Sequence, residues 1–338
     1  MSLKQTLKKI LPALLRNAVI GARGKVNDFE AERIQSRRFH QWMSRDNSTD
    51  KARVETRLAF DVHRLEKGLS HVQFRYGFGH GVLVEISRRL QLLEKTDAVY
   101  LENPLYRQAL SAIGEYKRRH EEANYDLTKI AELFPDHIWE AASEAQSGLA
   151  GSFILHAESK LKNKELPFSQ LTSNRFSVRE YSSETVAQDS LDRVYELAMK
   201  TPSVCNRQAT RIHQITDPNL IAQALRIQGG FSGYAVPPVL LFVASDIRAF
   251  MNDGERNEPF VDGGLFAMSL LYALEAEGLA ACPLNAMFSL KTDKATRKLL
   301  DIPDNELPVM YIAVGHFPDE VPVCRSARKT VDEILTLE

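Results

Sequence analysis

Apolar positions three and four apart dominate the first half of the chain. Leu3, Leu7, Ile10, Leu11, Leu14 and Leu15 keep that spacing, and so do the stretches Val82–Leu93 and Leu105–Tyr116. Such periodicity marks amphipathic helices. Gly and Pro are sparse here, apart from Tyr76-Gly77-Phe78-Gly79-His80-Gly81 and Asn103-Pro104. The glycine-rich stretch follows no strand, so it reads as a helix-to-helix connection rather than a dinucleotide fingerprint. Residues 1–165 are therefore expected to form an all-α N-terminal domain. The polar bridge Lys162-Asn163-Lys164-Glu165 marks the boundary with a second domain over 166–338.

From residue 170 the pattern changes. Ser190–Lys200 predicts a helix with Leu191, Val194, Tyr195 and Ala198 on its apolar face, and Arg211–Thr216 a short strand. Asp217-Pro218 opens the next helix, which stops at Gly229-Gly230. The continuous apolar run Val239–Ser245, bounded by Pro237-Pro238, predicts a buried strand. Phe260–Glu277 reads as a long apolar helix ending at Gly278, and Val309–Gly315 as a second buried strand. Strands and helices mix without regular β-α-β spacing. The expected class is α+β, with helices around one sheet, rather than a doubly wound nucleotide fold.

Composition narrows the picture. A net charge of -1 over 338 residues offers no global field for nucleic acid. Three widely spaced cysteines, Cys205, Cys282 and Cys324, suit a reducing compartment better than a disulfide framework, and imply a cytoplasmic protein. No C-x-x-C or His cluster points to a metal. Residues 1–27 carry six Lys or Arg and no acidic residue on their amphipathic pattern. That helix packs on protein, or lies on an anionic membrane through residues 1–20. The first reading is preferred, because no aromatic residue anchors the helix.

Candidate chemistry lies in Arg175-Phe176-Ser177-Val178-Arg179 and Thr201-Pro202-Ser203-Val204-Cys205-Asn206-Arg207-Gln208. Two guanidinium forks beside a serine suit phosphate oxygens. An Asn and a Gln in one loop suit the donor and acceptor edge of a heteroaromatic ring. Taken alone, each stretch is more often a solvated turn. Further on come Asp262-Gly263 ahead of the apolar helix, then Cys282-Pro283-Leu284-Asn285, and finally Arg325-Ser326-Ala327-Arg328. Asp262 can also be an N-cap. His63-Arg64-Leu65-Glu66-Lys67-Gly68-Leu69 is either a charged helix end closed by Gly68 or a second functional patch.

In this order, R-x-S-V-R, P-S-x-x-N-x-Q, the Asp-Gly helix, C-P-L-N and the C-terminal basic pair resemble the FMN-dependent nitroreductase family across about half the chain. The resemblance implies a mixed sheet surrounded by helices, FMN as cofactor, NAD(P)H as co-substrate and a homodimer with the cofactor between subunits. It places Arg175, Ser177, Arg325 and Arg328 at the FMN phosphate or ribityl chain and Arg179 at the ring's pyrimidine side. A cation there stabilises negative charge arriving on reduction. It assigns Ser203, Asn206, Gln208 and Asp262 to the ring or ribityl contacts, with the P-S-x-x-N loop supplied by the second subunit. Pro283, Leu284 and Asn285 are implied to run along one ring face. No side chain is implied as a catalytic acid or base. Ala209-Thr210 stand where the family has Pro-Trp, and Ala286 where it commonly has Gly. The implied activity is hydride transfer from NAD(P)H to a small electron-poor acceptor such as a quinone or nitroaromatic. Two alternatives are an interaction module with the same fold and little flavin activity, and a flavin-dependent biosynthetic dehydrogenase.

Overall fold

The computed structural model describes residues 29–338, so the basic helix expected over residues 1–27 lies outside the described residues. After a helical stretch at 29–42, helices α1 (Lys51–Leu69), α2 (His80–Thr96), α3 (Pro104–Glu122) and α4 (Asp136–Glu144) follow in order. Their ends follow from local chemistry. Asp50 accepts a hydrogen bond from Arg53 N (3.2 Å) at the start of α1. Asn103 caps α3, with Pro104 at its first position, where a missing N–H costs nothing. Leu58, Leu65, Leu69, Leu83, Ile86, Leu90, Leu93, Ile113 and Tyr116 are fully buried between these helices. Arg89 is buried with them and reaches out to Glu85 (3.1 Å) and Asp46.

Gly77 to Gly79 do connect helices, as the sequence predicts. Gly68 does not end one. It sits inside α1, where an added Cβ would meet the Phe78 ring at 1.9 Å, so it permits a close crossing rather than a cap.

The second body holds β1 (Ser152–His156), α5 (Phe168–Asn174), α6 (Gln188–Ala198), β2 (Thr210–Ile215), α7 (Pro218–Gln228), β3 (Val239–Asp246), α8 (Glu258–Ala276), β4 (Leu279–Asn285), α9 (Leu290–Leu300), β5 (Glu306–His316) and β6 (Glu320–Cys324). The main sheet runs β2-β3-β5-β4, antiparallel throughout. Among the described residues its one parallel element is a bridge from Ser177 to Ala281, alongside β4. Strand β3 is buried on both faces, which explains its unbroken apolar run. Val239, Leu241 and Val243 pack with α6 and α8, while Leu240, Phe242 and Ala244 face α7 and its neighbours. The expected α+β class and helix-wrapped sheet are therefore what the chain forms.

Two local differences from the sequence reading bear on the site. Residues 152–156, expected to be helical, form a strand paired with β6, so the end of the N-terminal stretch is stitched to the C-terminus. The segment around Lys162–Glu165 is anchored rather than free. Buried Asn163 donates to Glu275 Oε1 (2.8 Å) and to its carbonyl (2.9 Å), and buried Lys160 pairs with the same carboxylate at 2.7 Å. Among the described residues no helix is long and apolar enough to cross a membrane.

Candidate functional site

The Arg175–Arg179 stretch leaves α5 in extended form, and Val178 N donates to Ala281 O (3.0 Å). In extended backbone alternate side chains share a face. Val178 is fully buried in a small apolar cluster with Leu155, Ala280, Val321 and Val323. Ser177 and Arg179 turn the other way, into a cavity of about 410 Å³. Pro283 of β4 and Ser326, Ala327 and Arg328 of the C-terminal loop line the same cavity. Lys160 holds the base of this arm by donating to Asn174 O, one residue before Arg175.

Arg179 has no carboxylate within salt-bridge distance among the described residues. Its Nη1 lies 3.4 Å from Cys324 Sγ and 3.4 Å from Ser177 O. Burial, and then the charge of Arg179, push the Lys67 amine below its ordinary range. Burial pushes the Cys282 and Cys324 thiols up, so both stay protonated and inert at neutral pH. Arg175 carries a further signal, because its Nη1 is buried without any hydrogen-bond acceptor. A buried guanidinium end left unpaired is costly unless an anion meets it. The Ser326 backbone is left-handed (φ 48°), which is strained for a residue with a Cβ.

Not every expected residue joins this cavity. Arg325 turns away, its guanidinium over the Phe153 ring at 5.2 Å. Leu284 is buried in the core between the sheet and α7, and Asn285 accepts from Met287 N (3.3 Å). Residues 283–285 are the end of β4 rather than a loop, so only Pro283 reaches the cavity from that stretch.

Ser203, Gln208 and Asp262 lie together elsewhere, around a second and much smaller cleft. Asp262 is not an N-cap. Helix α8 starts earlier, at Glu258-Pro259, and Asp262 is a buried residue within it. Its two carboxylate oxygens accept from Val204 N at 3.1 and 3.2 Å and so hold the loop. Ser203 Oγ accepts from Gln208 N (3.0 Å), and exposed Asn206 accepts from Gln208 Nε2 through both its carbonyl and Oδ1 (3.2 Å each). Cys205, Asn206 and Gln208 all have positive φ, so this loop stores strain in a compact shape. Gly263 lets α8 approach β5, since a Cβ there would meet Val309 Cγ2 at 2.6 Å.

Residues 172–231 and 228–316 match the Nitroreductase family, a span from within α5 through β5 that contains Ser177, Arg179 and Pro283 of the larger cavity and the Ser203–Gln208 loop and Asp262 of the smaller cleft. The matched residues make up most of the second body of this chain, which is therefore similar to the nitroreductase family over that span. Its curated relatives include the FMN reductase [NAD(P)H] of Bacillus subtilis (strain 168), 26% identical over 174 residues, covering 47% of this chain and 67% of the relative. The iodotyrosine deiodinase of Nematostella vectensis is 24% identical over 213 residues, covering 54% and 78%. Among solved structures, an FMN-dependent nitroreductase from Clostridium difficile R20291 is 18% identical, with 48% of this chain and 92% of that one covered and a TM-score of 0.41.

Beyond the nitroreductase residues, the larger cavity has a wall that the sequence reading left unassigned. Ala59, Val62, His63 and Glu66 of α1, with Leu105 and Gln108 of α3, close it from the N-terminal side. The polar His63–Lys67 stretch was the signal that could have marked it.

Proposed function

We propose that this protein is an FMN-dependent oxidoreductase that takes reducing equivalents from NAD(P)H and passes them to a small electron-poor acceptor such as a quinone or nitroaromatic. The observation that carries this reading is the gathering of Ser177, Arg179, Ser326, Arg328 and Pro283 around one cavity; Arg175, two residues before Ser177, does not line it but has a buried Nη1 with no acceptor. At about 410 Å³ the cavity falls in the size range of small-molecule sites. Its donors fit a phosphate-bearing cofactor: a hydroxyl, guanidinium forks and a basic C-terminal loop. FMN bound there supplies the two-electron chemistry, taking a hydride and giving it up. Ser177, Arg175 and Arg328 hold the phosphate end. Arg179 stabilises negative charge on the ring's pyrimidine edge. No side chain is assigned as acid or base.

The reading includes a homodimer. In one chain the Ser203–Gln208 loop and Asp262 line a cleft separate from the Ser177–Arg179 cavity. A second copy brings its loop to the first copy's cavity. Phe260, Val261 and Leu265 on α8, all about half exposed, supply an apolar surface for that contact. In the same reading the N-terminal helical region and the sheet-bearing region that begins at β1 are two units, and the protein works in the cytoplasm.

Purification followed by an absorption spectrum and anaerobic titration with NADH and NADPH tests the proposal. A yellow protein whose flavin band bleaches with either nucleotide is expected. A colourless protein that takes up no added FMN contradicts it and favours an interaction module on the same fold.

A further inference from the structure

The phosphate side of the cavity has a buried feature that the family residues do not account for. Glu66 of α1 is 2% exposed, yet it sits against the C-terminal basic loop. Its Oε1 accepts from Ser326 N (3.2 Å) and from Gly151 N (3.0 Å), and its Oε2 faces His63 Nδ1 at 3.3 Å. One carboxylate thus ties together α1, the start of β1 and the loop that carries Arg328. Backbone N–H groups donating to a buried carboxylate make strong, directional contacts. One of them comes from Ser326, the residue with left-handed backbone at the head of the Ser326–Arg328 stretch that lines the cavity, and so holds that conformation in place. Both oxygens are engaged, so the carboxylate is compensated where it stands. His63 Nδ1 faces Glu66 and Ser326 Oγ (3.5 Å), while its Nε2 makes no hydrogen bond among the described residues. The ring lines the cavity and is only part-buried.

We propose that helix α1 of the N-terminal region completes the phosphate-monoester end of this site, with His63 as a ligand and Glu66 as the positioning residue for the Ser326–Arg328 loop. The proposal rests on the FMN reading above. It also gives the helical region a role, since the nitroreductase residues alone leave that wall open.

The full-length protein, stripped of any flavin, is titrated with FMN and with riboflavin, which lacks the phosphate, by fluorescence quenching. Wild type, His63→Ala, Glu66→Ala and Glu66→Gln are compared, with melting temperatures measured alongside. The wild type is expected to prefer FMN. His63→Ala and Glu66→Ala are expected to lose about tenfold in FMN affinity, the scale of one charge-assisted contact, while riboflavin affinity holds. Glu66→Gln keeps an acceptor oxygen for both N–H groups and is expected to retain most of the preference, which also covers the case of Glu66→Ala failing to fold. An unchanged FMN-to-riboflavin ratio in His63→Ala and Glu66→Ala, or tighter FMN binding by Glu66→Gln, overturns the proposal while leaving the FMN reading intact. A wild type that binds neither flavin overturns both.

Discussion

The two arms of the candidate site are built in contrasting ways. The Arg175–Arg179 arm is an extended segment tied into the structure at its base and at its middle. Val178 bonds to β4, Lys160 holds Asn174 at its base, and Glu66 fixes the basic loop across from it. The Ser203–Gln208 arm is a loop at the surface. It is held in one shape by the Asp262 carboxylate, by Ser203 Oγ and by left-handed backbone. The first arm already encloses a cavity, while the second presents a compact, partly exposed shape with little space beneath it. The contrast is what a shared site requires. In the proposed dimer one copy would contribute a preformed binding wall, and the other a rigid loop that needs only to be set against it.

The largest effect is expected at the base of the first arm. Lys160→Met leaves buried Glu275 with the Asn163 amide but without its paired cation, and burial already pushes that carboxyl up. A loss of roughly 3–5 kcal/mol is expected. Chemical denaturation checks it, and a change under about 1 kcal/mol would mean the arm is not anchored there.

Next comes Arg175→Ala. Removing the unpaired Nη1 should weaken FMN by about tenfold to a hundredfold, or ~1.5–3 kcal/mol, at unchanged stability. Unchanged FMN affinity in the folded variant removes Arg175 from the site.

Asp262→Ala acts on the other arm alone. Val204 N loses its acceptor, at a local cost of about 1–3 kcal/mol. Hydrogen exchange should quicken across residues 203–208 and stay slow at Val178. Equal quickening in both arms would show that they are not separately held.

The smallest effect is a pH dependence where the second arm enters the sheet. Asp246 N donates to Ala209 O there, and contacts from Arg248, with Asn305 adding to them, hold the Asp246 carboxyl well below the usual carboxylate range. A depressed folded value means stabilisation that is full above the unfolded value of about 3.9 and is lost as pH falls through the folded one. Acid should therefore loosen this end below about pH 4, and Asp246→Asn should flatten that dependence. A dependence unchanged in the variant assigns the acid loss to other groups.

How much of this could be read from the chain differs by element. Helix α7 was legible to the residue, because Asp217-Pro218 and Gly229 are local signals that tertiary packing did not override. Strand β3 was legible because burial on both faces leaves an unbroken apolar run. Strands β1 and β6 were not. Each is five residues long and they pair across most of the second half of the chain, so neither carries a local signature. Asp262 was misplaced for a related reason. The apolar run begins at Phe260, whereas the helix begins with Pro259 in its first turn, which puts the aspartate inside. Ser177, Arg179 and Arg328 were found through their motif, and the cavity gathers them. Arg325 looked the same in sequence, but the ring of Phe153 draws it away. Glu66 was visible only as one charge among several, since its role depends on a loop 260 residues later.

The central claim is that one FMN lies between the two arms of different subunits. Coexpressing Arg175→Ala with Asp262→Ala tests it most directly. Each variant alone has a damaged arm at every site. In a mixed dimer one site pairs the two damaged arms, and the other pairs the two intact arms. With random pairing, about a quarter of all sites should then recover wild-type FMN affinity. A coexpressed mixture that binds FMN no better than either variant alone contradicts the claim.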